Sequence, residues 1–243
     1  MKLRKALFLI AVLAVGCSQV GAGEEAYSTA RSRLAAAIRD YAAPINESAD
    51  PRIIRQVATV PRHLFVPQSQ RAEAYNDYAL PIGEDQTISQ PSLVALMTHL
   101  LRPKRGDVML EVGTGSGYQA AMLSGLVRHV YTIEIVGPLA RQSARRLAEL
   151  GYRNVTVRHG DGYAGWPAHA PFDGVIVTAG AEHVPQPLID QLKAGGRMVI
   201  PVGSTREGQR LKLITKDSRG KIREQVIIGV RFVPLTRDVR GRD

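Results

Sequence analysis

Val108-Met109-Leu110-Glu111-Val112-Gly113-Thr114-Gly115-Ser116-Gly117-Tyr118-Gln119-Ala120 runs from an aliphatic stretch through a glycine-rich turn into a helical pattern. Glycines in such a strand-to-helix turn let the backbone approach a ligand closely, at the place where an open α/β sheet holds a nucleotide-like molecule. Working outward, further short aliphatic runs at 130–135, 155–158, 174–178 and 197–202 alternate with helical stretches. That alternation predicts an α/β fold, with a mostly parallel sheet and helices on both faces. Two later runs, 210–215 and 224–232, have no helix between them, only Asp217-Ser218-Arg219-Gly220. They predict an antiparallel hairpin at one sheet edge.

Toward the N-terminus the pattern changes. Residues 26–41 are rich in Ala, Arg and Leu, and a second helical stretch follows Asp50-Pro51, with Asp50 placed to cap it and Pro51 in its first turn. Residues 61–91 carry many Pro, Gly, Asp and Gln and read as a long irregular connection of the kind that holds function. Residues 92–101 read as a helix leading into the core. The expected organisation is a targeting segment (1–23), an N-terminal helical and substrate-loop region (24–105), a cofactor-binding α/β core (106–236) and a polar tail (237–243).

The 243 residues are 44% hydrophobic, enough for a substantial core. A formal charge of +10 raises the question of nucleic acid, but the basic residues are spread along the chain. With four Phe and one Trp there is no base-stacking platform. No nucleic-acid partner is expected. The six histidines show no metal-ligand spacing and the single cysteine lies near the N-terminus, so no metal site is expected. Lys2, Arg4 and Lys5 precede the apolar run 6–15, which is too short for an ordinary membrane-spanning helix and fits a secretory signal. Cys17 follows Ala14-Val15-Gly16, which resembles a bacterial lipobox and would tether the chain to a membrane by lipid. Cleavage after Gly21-Ala22-Gly23 would instead release a soluble protein. Both readings export the chain to the periplasm or envelope; an uncleaved cytoplasmic form is the alternative.

The cofactor is open on glycine spacing alone. Glu134, seventeen residues after Gly117 at the end of the next strand, can accept hydrogen bonds from both hydroxyls of a ribose. Gly115-Ser116-Gly117-Tyr118-Gln119-Ala120 also satisfies the dinucleotide fingerprint. Glu111 tilts the balance. It stands two positions before Gly113, as in the acidic E-x-G-x-G-x-G loop of methyltransferases, where a carboxylate suits a positively charged methionine moiety and a pyrophosphate would gain nothing. Asp161, in Gly160-Asp161-Gly162, can accept from an adenine amino group, although an Asp between glycines is also common turn material.

Successive landmarks then match one family. Val60-Pro61-Arg62-His63-Leu64-Phe65-Val66-Pro67, Ala79-Leu80-Pro81-Ile82-Gly83, Gln86-Thr87-Ile88-Ser89-Gln90-Pro91, the glycine loop, His159-Gly160-Asp161-Gly162, Ala170-Pro171-Phe172-Asp173, Val177-Thr178-Ala179, Ile200-Pro201-Val202-Gly203 and Val230-Arg231-Phe232-Val233-Pro234-Leu235 resemble, in order and spacing, the protein-L-isoaspartate O-methyltransferases. The resemblance covers about residues 30–236. It implies a Rossmann-like methyltransferase fold, S-adenosylmethionine as methyl donor, and isoaspartyl-containing proteins and peptides as substrates. It places the active-site serine on Ser89, and cofactor contacts on Gly113, Thr114, Gly115, Ser116, Gly117, Glu134, Asp161 and Gly162, to which the acidic loop position adds Glu111. Thr87, Ile88 and Asp77 are expected beside the substrate. Ser89 also has a plainer reading, as a loop serine capping the following helix. Three features depart from the family: two acids in Gly83-Glu84-Asp85-Gln86, the sequence Ala179-Gly180-Ala181-Glu182-His183 in place of a proline-containing turn, and the N-terminal targeting segment. A nicotinamide-dependent oxidoreductase and an exported, non-catalytic binding module on the same fold are the competing readings.

Overall fold

A computed structural model describes residues 23–204, 206 and 208–237. Its centre is a seven-stranded sheet built from β3 (Val108–Val112), β4 (His129–Glu134), β5 (Val155–His159), β6 (Phe172–Val177), β7 (Leu192–Val202), β8 (Gln209–Lys216) and β9 (Ile222–Val230). The spatial order is β5-β4-β3-β6-β7-β8-β9. The first five strands are mutually parallel, and β8 and β9 return as an antiparallel meander. The expected strands and edge hairpin are therefore present, with β6 and β7 beginning earlier than their aliphatic runs.

Side-chain alternation along the strands divides the core in two. Met109, Ile176, Val199, Leu211 and Leu213 pack on one face, with Leu110, Val112, Val175, Val177, Met198, Ile200 and Ile214 on the other. The first face is covered by α3 (Pro91–Leu101), α4 (Tyr118–Ser124) and α5 (Gly137–Glu149), and by the N-terminal region, which includes the helix through residues 23–37 (α1) and α2 (Pro51–Thr59). The second face is covered more thinly, by the short helix α6 (Gln186–Asp190) and by Trp166 among 3-10 turns. Asp50 caps α2 as expected, accepting from Arg52 N at 2.8 Å. Asp173 ties the sheet internally: it accepts from Val108 N (2.8 Å) and from Lys193 Nζ (2.7 Å).

The segment 61–91 is more ordered than its composition suggests. It contains 3-10 turns and a two-stranded hairpin, β1 (Leu80–Gly83) against β2 (Gln86–Ile88). Glu84 and Asp85 form the turn with φ of 52° and 55°, the left-handed values that two-residue hairpin loops favour. Neither is glycine or asparagine, so the usual sequence signal for such a turn was missing.

Candidate active site

Strand β3 has β4 on one side and β6 on the other, so the chain winds away from it in both directions. A crevice opens at its C-terminal end, where open α/β sheets bind ligands. Gly113 (φ 97°) begins the turn, its N–H and that of Thr114 donating to Ile133 O. A Cβ at Gly113 would lie 2.5 Å from Thr178 Oγ1. That hydroxyl donates to Gly113 O at 2.6 Å, so a strand neighbour pins the glycine turn from the β6 side. Gly162 meets a similar limit, since a Cβ there would lie 2.3 Å from Val112 Cγ1.

The resulting cleft is lined among others by Thr87, Ile88, Ser89, Glu111, Gly113, Thr114, Gly115, Ser116, Glu134 and Gly162. Gly117 does not line it, and serves instead as N-cap of α4. Asp161 stays just outside, its carboxylate accepting from Tyr163 N at 2.8 Å, so the plainer turn role is occupied whatever else it does. Asp77 is also outside. It accepts from Ser92 N (2.8 Å) and Gln90 Nε2 (3.1 Å), and so holds the start of α3 next to Ser89.

Two carboxylates dominate the interior. Both oxygens of Glu134 are fixed by backbone, Oε2 accepting from Gly115 N (2.7 Å) and Oε1 from Val136 N (2.9 Å). Each retains acceptor capacity for a ribose hydroxyl. Glu111 is fully buried, and neither of its oxygens has a hydrogen-bond partner among the described residues. Burial pushes its pKa up to about 8; the neighbouring Glu134 charge adds to the rise and the Thr132 hydroxyl opposes it. A buried acid without a donor is a site waiting for a cation. The sulfonium and ammonium of S-adenosylmethionine would favour its ionised form, whereas a dinucleotide's pyrophosphate would oppose it.

Ser89 sits at a junction. A second, open groove lies against β9 and the start of α3, and Thr87, Ser89, Thr178 and Val233 line both hollows. The Ser89 side chain is half-buried and makes no hydrogen bond to any described residue. Gln90 is the N-cap of α3, although its side chain bonds Asp77 rather than the first-turn backbone, so Ser89 is not the cap of that helix.

Several lining residues were not singled out from sequence. Gln119, whose buried Oε1 lacks a partner while its Nε2 donates to Thr98, lies in the first turn of α4 and was legible from its place after the glycine loop. Thr178 could have been found as the residue ending the strand next to β3. Residues 233–236 could not, because only the tertiary fold returns the C-terminal segment to the cleft. There Gln209 grips Phe232 through both its backbone N and O, and Arg237 lies over the Tyr163 ring at 3.9 Å.

A cation-accepting corner beside a cleft at the end of β3, with a carboxylate placed for ribose hydroxyls, on a doubly wound sheet, assigns the chain to the S-adenosylmethionine-dependent methyltransferases. Comparison with known proteins narrows the class. The family model described as Protein-L-isoaspartate(D-aspartate) O-methyltransferase (PCMT) matches residues 42–240, and the chain belongs to that family. It is 52% identical over 235 residues to Protein-L-isoaspartate O-methyltransferase 2 of Syntrophobacter fumaroxidans, covering 95% of this chain and 94% of that protein. It is 50% identical over 236 residues to the Protein-L-isoaspartate O-methyltransferase of Opitutus terrae, covering 97% and 99%. A solved protein-L-isoaspartate O-methyltransferase superposes with a TM-score of 0.74 at 29% identity, over 84% of this chain and 65% of that one. A putative Plasmodium falciparum member, solved with S-adenosyl-L-homocysteine, shares the fold with a TM-score of 0.70 at 23% identity, over 87% of this chain and 99% of that one.

Proposed function

We propose that the protein methylates the free carboxylate of L-isoaspartyl residues in damaged proteins and peptides, the first step of a repair that proceeds through a succinimide. The observation that carries this reading is the junction at Ser89, where an unpartnered hydroxyl stands between the enclosed cleft and the open groove. S-adenosylmethionine, when bound, supplies a methyl group on a positively charged sulfur.

An isoaspartyl carboxylate has a pKa of about 4 and is ionised at neutral pH, so no general base is required. What the protein must do is align that oxygen and keep water away. Glu111 and Gln119 offer acceptors to the cationic end of the donor, Glu134 holds the ribose hydroxyls, and the Gly113–Gly115 backbone gives close approach. Ser89 orients the substrate carboxylate or its backbone from the groove side, with Thr87 and Ile88 as the neighbouring wall. The methyl ester is then lost as a succinimide closes, and hydrolysis of the ring restores some normal aspartate; these steps need no group from the protein.

The deciding experiment is transfer of labelled methyl from S-adenosylmethionine to an isoaspartyl peptide beside its normal aspartyl twin. Labelling of the isoaspartyl peptide alone is expected. Cofactor binding with no labelling of either would point to another substrate.

Export, with Cys17 as the lipid-bearing N-terminus of the mature chain, is proposed on sequence grounds only. Residues 1–22 lie outside the described residues, and among those described no helix is long and apolar enough to cross a membrane.

A further inference from the structure

Between helix α5 and the 3-10 turn Gln68–Glu73 lies an open surface hollow that shares no lining residue with the cleft or the groove. Its polar lining is Arg71, Gln142, Arg145, Arg146 and Glu149. Glu149 accepts from Arg145 Nε at 2.7 Å, and both side chains are largely exposed, so the one acid is already paired at the rim. Arg71 is different. Its guanidinium makes no hydrogen bond or ion pair with any described residue, and its Nε is shielded from solvent. Arg146 is half-buried and donates a single bond, from Nη1 to Ser116 O at 2.8 Å. Burial lowers the pKa of Arg146, the Arg71 charge adds to that effect, and the Glu149 charge at the rim partly offsets it.

Two guanidinium groups thus share a hollow with most of their donors unused, and neither forms an ion pair with its one carboxylate, Glu149, which is bonded to Arg145. An unmatched, desolvated donor is destabilising, and an oxyanion with several acceptor oxygens would satisfy it. Planar guanidinium forks match phosphate oxygens two at a time, and Arg146 is already oriented by its bond to Ser116 O. We propose that this hollow binds a phosphate group, as free phosphate or a small phosphomonoester, held by Arg71 and Arg146.

The test is thermal unfolding and titration calorimetry of the full chain, with sodium phosphate or glycerol 1-phosphate against sodium chloride at equal ionic strength. Either phosphate, at tens of times its Kd, should raise the unfolding midpoint by about 2–5 °C. A shift with glycerol 1-phosphate alone would identify a monoester site, and a shift with inorganic phosphate a site for the free ion. Arg71→Gln should abolish the shift while methyl transfer in phosphate-free buffer stays at the wild-type rate; Arg145→Gln should keep it. Should Arg71→Gln fail to fold, Arg71→Lys serves, with affinity expected to fall about tenfold because an ammonium cannot form the fork. The proposal is overturned by the absence of a shift with both phosphates, by an equal shift in Arg71→Gln, or by unchanged affinity in Arg71→Lys.

Discussion

Glu111 carries its proton near neutral pH because burial disfavours its charged form. Its folded pKa of about 8 stands above its ordinary value of 4.5. The unfolded chain therefore loses this proton near pH 4.5 while the folded chain keeps it, and the group's contribution to stability falls as pH rises from about 4.5 to about 8. Denaturant unfolding of the cofactor-free protein should show that fall, and Glu111→Gln should lose it. Affinity for cationic S-adenosylmethionine should move the opposite way, tightening by up to about tenfold per pH unit between pH 6 and 8; calorimetry finding a flat profile would remove Glu111 from the cation's surroundings. Ser89 and Glu134 should separate two functions. Ser89→Ala is expected to lower kcat/KM for an isoaspartyl peptide by about 10–100-fold, the loss of one or two charge-assisted bonds, with cofactor Kd nearly unchanged. Glu134→Ala should weaken cofactor binding by a similar factor. Equal methyl transfer by wild type and Ser89→Ala would remove the serine from the reaction.

Helix α3 begins beside the reacting junction, yet the side chain of its N-cap residue caps no first-turn N–H; Asp77, thirteen residues earlier, reaches in to accept from Ser92 N and from that side chain. Asp77→Ala should cost about 1 kcal/mol of stability, the usual worth of a lost cap, and should raise KM for peptide while leaving cofactor Kd alone. The β1–β2 hairpin makes a separate contribution. Its turn presents Glu84 and Asp85 to solvent while Gln86 and Thr87, on the following strand, reach the cleft wall. Peptides with acidic residues flanking the isoaspartate should therefore be poor substrates. Replacing both turn acids with glutamine should lower KM for such peptides a few-fold, without change for neutral ones. The hairpin also shows where sequence reading ran out. Strands with long aliphatic runs announce themselves, whereas β1 and β2 are four and three residues, interrupted by Pro81, and are held by tertiary packing. The glycine loop and Glu134 were legible because ligand approach restricts residue type at fixed spacing. The Asp77 bridge was legible only as a position, since its bonding partners depend on where α3 lies.

For the molecule as a whole, the decisive open event occurs at the N-terminus. Mass analysis of the mature chain is expected to find a lipid-modified Cys17 as the first residue; an unmodified Met1 on cytoplasmic protein would remove both export and tethering. The sheet order was not written in the sequence, because strand neighbours are chosen by which crossovers pack, but the parallel core with a terminal meander followed from where helices separate the strands. One feature of that sheet bears on the protein's own ageing. Asp173-Gly174 and Asp161-Gly162 are the two Asp-Gly peptides of the chain, and a glycine after aspartate leaves the backbone nitrogen sterically free to attack the side-chain carbonyl. At Asp173 that attack requires the carboxylate to leave Val108 N and Lys193 Nζ, and at Asp161 to leave Tyr163 N. The folded chain thereby resists spontaneous ring closure at both peptides, and its working lifetime becomes a matter of how seldom β6 and the loop after β5 open.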